Sequence, residues 1–391
     1  MLPAFEPRLR AFAEVIVRVG LNLQPGQRLL IAEPYELQGV ALSAKIIVEA
    51  VSRAAITDVE VIWGDGPRLR EMALNKDWRG YVQLVGANAW RMQHYIDNQD
   101  ALLFLQSSQP TLLDGLPPEQ IAELRRIGWE YFGPIAQQLV NGATNWTVAP
   151  APTPAWAQAA YADLPSEQRL PALWQEVFNA LRVTEPTPLV GWQLHLKYLQ
   201  QQCASLNAKR HRTLRYQGEG TELSVALPSG HVWRTAQLTT KSGVPFVANL
   251  PTEEVFTAPH RNSAEGTVRV SRPISYSGAV ISGIELEFKR GAVVAATAQT
   301  GADLLSRLLD TDEGASRLGE VAIVPAQTSL SRAGRLFRHP LLDENAQCHI
   351  ALGEAYRFCQ QPSDDSALNR SLVHVDLPVD AVMILPDTEP S

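Results

Sequence analysis

His374 and Asp376 are two residues apart, flanked by the β-branched Val373 and Val375. Side chains alternate across a strand, so an imidazole and a carboxylate at this spacing point to one face. Upstream, His349 and Tyr356 are seven residues apart in the run His349-Ile350-Ala351-Leu352-Gly353-Glu354-Ala355-Tyr356. On a helix this spacing is nearly two full turns, which again predicts one shared face. Imidazole, carboxylate and phenol oxygens on converging faces are donor chemistry for a divalent metal ion. A His-x-Asp alone serves equally well as an ordinary hydrogen bond, so a metal reading needs carboxylates from elsewhere.

Two stretches carry such carboxylates. Asn249-Leu250-Pro251-Thr252-Glu253-Glu254-Val255-Phe256-Thr257-Ala258-Pro259 places two acids between an apolar strand end and a proline. Leu318-Gly319-Glu320-Val321-Ala322-Ile323-Val324 places one acid at the start of a very apolar strand. A bare carboxylate there is costly unless something neutralises it, and a metal ion would. A solvated loop pair at Glu253 and Glu254, and a strand end reaching water at Glu320, stay open as alternatives.

The elements that must position these residues follow from the rest of the chain. Its 391 residues suit two domains better than one. With 45% hydrophobic and 19% charged residues, it has the material for sizeable cores. A net charge of −7 argues against nucleic acid or an anionic membrane surface as a partner. No segment reaches the roughly 20 uninterrupted apolar residues of a membrane span. Glu6, Arg8, Arg10, Glu14 and Arg18 interrupt any signal-peptide core. Three sparse cysteines, Cys203, Cys348 and Cys359, imply no disulfide framework and fit a reducing cytoplasm.

The first half alternates strands and helices. Leu9, Phe12, Ala13, Ile16 and Val19 repeat at helical spacing. Strands are expected at Leu29–Ala32, Val59–Trp63, Ala101–Leu105 and Asn145–Val148, with helices from about Leu37 to Ala54 and Glu119 to Leu139. This predicts a doubly wound α/β domain with a mostly parallel sheet. Glu33-Pro34-Tyr35-Glu36 after the first strand is no dinucleotide fingerprint, and no Gly-Lys-Ser/Thr phosphate loop exists. This half reads as scaffold. Ala149-Pro150-Ala151-Pro152-Thr153-Pro154 reads as a connection after the last strand, and two further helical faces follow at Leu173–Leu181 and Leu194–Leu199.

From Leu214 the texture changes to short alternating runs. Leu214–Leu227 reads as a hairpin around Gly218-Glu219-Gly220. More strands are expected at Thr267–Val270, Ala279–Ile281, Ile284–Phe288 and Val293–Thr297, with turns at Ser277-Gly278, Ser282-Gly283 and Arg290-Gly291. The expected division is an α/β scaffold domain over 1–200 and an α+β domain over 201–391, whose antiparallel sheet or partial barrel carries the metal site.

Taken together and in this order, Asn249–Arg261, Leu318–Pro325, Asp343–Tyr356 and Asn369–Asp376 resemble the thermophilic-aminopeptidase family of cytosolic metallopeptidases, which includes the aminopeptidase T and aminopeptidase S types. The resemblance covers essentially the whole chain. It implies two divalent ions, zinc or cobalt first and magnesium or manganese next. It implies Glu254, Glu320, His349, Tyr356, His374 and Asp376 as their ligands. It further implies a cytoplasmic homodimer with an enclosed site that releases N-terminal amino acids from short peptides, through a water bridged between the two ions. Glu253, beside a ligand, is the candidate general base. The loop from Phe358 to Leu368 lacks the glycines often found there in the family. A rival reading takes only His349, His374 and Asp376, the two-histidine, one-carboxylate set of mononuclear iron oxygenases, in the form of a ring-cleaving dioxygenase.

Overall fold

The structure, a computed structural model, describes residues 4–33, 39–107, 112–113, 115–276, 279–361 and 365–385. The chain divides into two compact units. One comprises Met1–Leu194 with Ala236–Pro251, the other His195–Thr235 with Thr252–Ser391.

In the first unit, β1 (Leu29–Ala32), β2 (Val59–Val61), β3 (Ala101–Gln106) and β4 (Trp146–Pro150) form a parallel sheet in the order β2-β1-β3-β4. Leu29, Leu30, Ile31, Leu102 and Leu103 are wholly buried, as expected of a parallel sheet covered on both faces. Pairing runs outward from β1 in both directions, the doubly wound pattern that the alternation of elements predicts. Helix α1 (Phe5–Val15) opens the unit, and α2 (Lys45–Ala55) joins β1 to β2. Leu37, like Pro34-Tyr35-Glu36, lies outside the described residues.

Two helices that the periodicity reading passes over lie between β2 and β3. They are α3 (Gly66–Leu74) and α4 (Trp78–Asp97). Each starts on an aspartate cap: Asp65 accepts from the Arg68 N–H, and Asp77 from the Gly80 N–H. Helix α5 (Pro118–Val140) joins β3 to β4. The proline-rich stretch leads from the end of β4 into α6 (Pro154–Ala160), capped by Thr153, and α7 (Ser166–Ala180) and α8 (Pro188–Lys209) follow.

The second unit is antiparallel. Strands β5 (Thr213–Gly218) and β6 (Thr221–Ala226) form the expected hairpin. The next hairpin, β7 (Gln237–Thr239) with β8 (Pro245–Val247), belongs to the first unit. After β9 (Val255–Thr257) come β10 (Glu265–Arg269), β11 (Ile274–Tyr276), β12 (Ala279–Ile281), β13 (Glu285–Lys289) and β14 (Ala292–Thr297). Helix α9 (Ala302–Leu309) precedes β15 (Leu318–Ile323). Helices α10 (Ser329–Ala333) and α11 (Pro340–Glu344) lead to β16 (His349–Gly353), β17 (His374–Pro378) and β18 (Val382–Ile384). Ser277-Gly278 falls outside the described residues.

These strands build a six-stranded sheet, β14-β13-β10-β6-β5-β18, a four-stranded sheet, β17-β16-β15-β9, and a β11-β12 hairpin. Val321, Ile350, Leu352, Val375 and Leu377 of the four-stranded sheet share one core with Leu214, Tyr216, Leu223 and Val225 of the six-stranded sheet. One face of the four-stranded sheet is thus committed to the core. Its other face carries a small apolar cluster of Phe256 and Ala322 with Ala355, Cys359 and Leu368, and the polar side chains described below.

Candidate metal centre

Period-two alternation decides which side chains reach that second face. In β16, Ile350 and Leu352 pack in the core, so His349 and Ala351 point away. In β17, Val375 and Leu377 are core, so His374 and Asp376 point away together. His349 therefore reaches the site from a strand, and the helical spacing expected of His349 and Tyr356 is overturned. Alternating Ile350 and Leu352 pair on both sides with β15 and β17, and Gly353, at φ 104°, closes the element.

Glu320 needs a further device. Leu318 and Val321 are both core residues, three positions apart, which a regular strand forbids. The ladder shifts register between Leu318 and Glu320: Leu318 pairs with Leu352, and Glu320 with Ala351. Gly319 is the extra residue of this bulge, and the bulge turns Glu320 onto the face that bears the histidines. Glu320 accordingly stands inside β15 as a buried carboxylate, at 3% exposure, rather than at a strand end reaching water.

The donors converge. His349 Nε2 lies 3.4 Å from Glu254 Oε2, 3.4 Å from Glu320 Oε1 and 3.8 Å from Asp376 Oδ1. His374 Nε2 lies 3.4 Å from Asp376 Oδ1 and 3.9 Å from Glu320 Oε2. Two groups, Glu254–Glu320–His349 and Glu320–His374–Asp376, each bring their ligand atoms within 4.8 Å of one another. Glu320 is common to both.

The residues fit a cation. His349 Nδ1 donates to the Gln347 carbonyl at 3.0 Å, and His374 Nδ1 to the Glu354 carbonyl at 2.8 Å. A carbonyl only accepts, so each Nδ1 carries a proton and each Nε2 is left facing carboxylates. Glu254 Oε2 is buried without a hydrogen-bond partner. Burial, with the negative charge of Glu320, pushes the Glu254 carboxyl up to about 8. Burial works against charge on His374, yet its bond to Asp376 and the charges of Asp376 and Glu320 win and raise it to about 10. His349 is likewise raised against its burial by Glu320, Asp376 and Glu254. Asp376 is held below the usual carboxylate range despite burial, through its hydrogen bond and charge interaction with His374. The raised values at His349 and His374 express the demand of the surrounding carboxylates for positive charge, which a divalent ion would meet by displacing protons.

The remaining candidates sit around this cluster. The Tyr356 ring lies 5.2 Å from the His374 ring, at the end of the irregular segment after Gly353, and is stacked on Phe358 at 5.3 Å. Glu253 is buried, and its Oε2 lies 3.5 Å from His195 Nε2. Glu344, to which sequence reasoning assigns no role, also belongs here. Burial and the charges of Glu254 and Asp376 push its carboxyl well above the usual range. Its only sequence signal is its place in Asp343-Glu344-Asn345, at the end of α11.

A family model described as "Thermophilic metalloprotease (M29)" matches residues 5–384. Aminopeptidase T of Thermus thermophilus is 38% identical over 384 residues, covering 96% of this chain and 93% of the relative. Aminopeptidase 2 of Geobacillus stearothermophilus is 36% identical over 380 residues, covering 95% and 91%. The solved structure of wild-type AmpT from Thermus thermophilus aligns at a TM-score of 0.86 with 37% identity, over 96% of this chain and 93% of that one.

Proposed function

The chain belongs to the thermophilic metalloprotease family M29, and from that premise we propose that its second unit releases N-terminal amino acids from short peptides at two divalent ions. The chain is a metallo-aminopeptidase, a hydrolase of peptide bonds with a divalent-metal cofactor. In the proposal Glu254, Glu320, His349, Tyr356, His374 and Asp376 hold the ions. The observation that carries the dinuclear reading is the shared Glu320, whose two carboxylate oxygens face the two histidines separately. Carboxylate oxygens with imidazole nitrogens and no thiolate suit zinc or cobalt, with magnesium and manganese as further candidates.

Such ions, when bound, supply Lewis acidity that acidifies water and polarises the scissile carbonyl. The protein's own part is placement and proton handling. The backbone carbonyls of Gln347 and Glu354 fix the two imidazole rings, so that each Nε2 faces the cluster. Glu253 takes the proton released by the attacking water and returns it to the leaving amine. Tyr356, whose ring lies against those of Phe358 and His374, stands beside the cluster and would offer its phenol oxygen as a ligand. A mononuclear iron site on His349, His374 and Asp376 would use neither Glu254 nor Glu320, although each places a carboxylate oxygen 3.4 Å from His349 Nε2.

The proposal extends to a homodimer with an enclosed site, the family's way of restricting substrates to short peptides. Among the described residues no helix is long and apolar enough to cross a membrane. Metal analysis of protein purified without added metal tests the centre: two divalent ions per chain support it, and one iron per chain contradicts it.

A further inference from the structure

We infer that His195 is a positioning residue, which with Asn345 clamps the single peptide unit Thr252–Glu253 and so fixes Glu254 at the metal centre and Glu253 for proton transfer. The inference rests on the metallo-aminopeptidase reading above. His195 Nε2 lies 2.7 Å from the Thr252 carbonyl oxygen. The Glu253 N–H donates to Asn345 Oδ1 at 2.6 Å. These are the two ends of one amide. They are held by side chains from α8 and from the residue after α11, both far away in the chain.

The donor directions are determined by the partners. A carbonyl cannot donate, so His195 Nε2 carries the hydrogen. Asn345 Nδ2 donates to the Leu341 carbonyl at 2.9 Å and to Glu344 Oε1 at 3.2 Å, which leaves Oδ1 for the Glu253 N–H. Thr252 and Asn345 are 1% and 0% exposed, so water does not compete for these bonds.

The clamp sits just ahead of strand β9. Strand β9 starts only at Val255, so no ladder holds Thr252, Glu253 or Glu254. Yet Glu254 must keep its oxygen 3.4 Å from His349 Nε2. The same His195 nitrogen lies 3.5 Å from Glu253 Oε2 and so touches both the backbone and the carboxylate of the candidate base. Support of this kind, one bond behind the ligands, carries a large share of metal affinity in protein sites.

The test compares His195→Gln, His195→Asn and His195→Leu. The Gln amide nitrogen can take the place of Nε2 and donate to Thr252. The Asn amide is one methylene too short, and Leu has no donor. Cobalt(II) affinity is read by chelator competition, the site geometry by the cobalt visible absorption, and folding of the metal-free variants by circular dichroism. His195→Gln should keep the wild-type cobalt spectrum and affinity. His195→Asn and His195→Leu should bind cobalt about 10–100-fold more weakly, with altered spectra and with kcat falling more than KM changes. Should His195→Leu not fold, the Asn and Gln pair decides alone, since they differ only in reach. Equal cobalt affinity and spectra for His195→Gln and His195→Asn would overturn the inference. If instead the wild type binds cobalt but cleaves no peptide, it is the functional reading that fails, and the affinity series still decides the clamp.

Discussion

Glu320 and Asp376 stand in one row across the four-stranded sheet, each directly opposite Ala351 on the strand between them. Paired residues in antiparallel strands share a face, so only a methyl group separates the two carboxylates. Ala351→Leu should fill that gap while leaving the core face intact. Retained divalent metal and peptidase activity should each fall at least about tenfold, with the circular dichroism spectrum unchanged. A variant with wild-type metal content would contradict this arrangement.

The bulge at Gly319 makes a second prediction. A Cβ there would lie 2.3 Å from the Glu354 carbonyl oxygen and 2.5 Å from that of Gly353. Both obstacles are backbone, so the strand itself must move. Gly319→Ala should cost about 1–3 kcal/mol in urea unfolding and weaken metal binding, because the bulge is what aims Glu320. Unchanged stability together with unchanged metal affinity would show that the bulge is not needed.

How far the sequence discloses this site can be judged residue by residue. His374 and Asp376 are legible, because a two-residue spacing on a strand needs only local periodicity. Glu320 is legible as an anomaly, an acid in an apolar run, but the turn that aims it is not: a bulge is defined by its partner strand. His349 and Tyr356 mislead. Their seven-residue spacing fits a helix, yet cross-strand pairing of Ile350 and Leu352 makes the segment β, and Gly353 ends it before Tyr356. Helices α3 and α4 carried readable signals in Asp65, Pro67 and Asp77. His195 had none, since only the tertiary fold brings α8 to Thr252.

Asp343 gives a pH prediction. Burial pushes its carboxyl up to about 7, even though it accepts the N–H groups of Phe337 and His339 at 2.7 and 3.0 Å. A folded-state value above the unfolded one means that the protonated form is preferred in the native state. The contribution of Asp343 to stability is then fully present below about pH 3.9 and is lost as pH rises through about 7. Urea unfolding of the wild type should therefore lose more stability between pH 4.5 and 7 than Asp343→Asn does. Parallel curves for the two proteins would contradict the shift.

Assembly is open to direct measurement. Sedimentation at micromolar concentration should show a dimer, and folded proteins should keep their amino-terminal residues when incubated with the enzyme. A monomer, or ready trimming of a folded protein, would contradict the enclosed homodimer.

The central claim is that Glu320 joins two halves of a hydrolytic metal centre. Its most direct test is anaerobic hydrolysis of leucine p-nitroanilide by the wild type and by Glu320→Gln. The amide keeps the shape of the side chain and removes the charge that the metal needs. The wild type should cleave the free-amine substrate without oxygen and spare its amino-acetylated form, and Glu320→Gln should lose at least about a hundredfold in rate. Turnover that requires oxygen and iron(II), and survives Glu320→Gln, would contradict the account and favour a mononuclear dioxygenase on His349, His374 and Asp376.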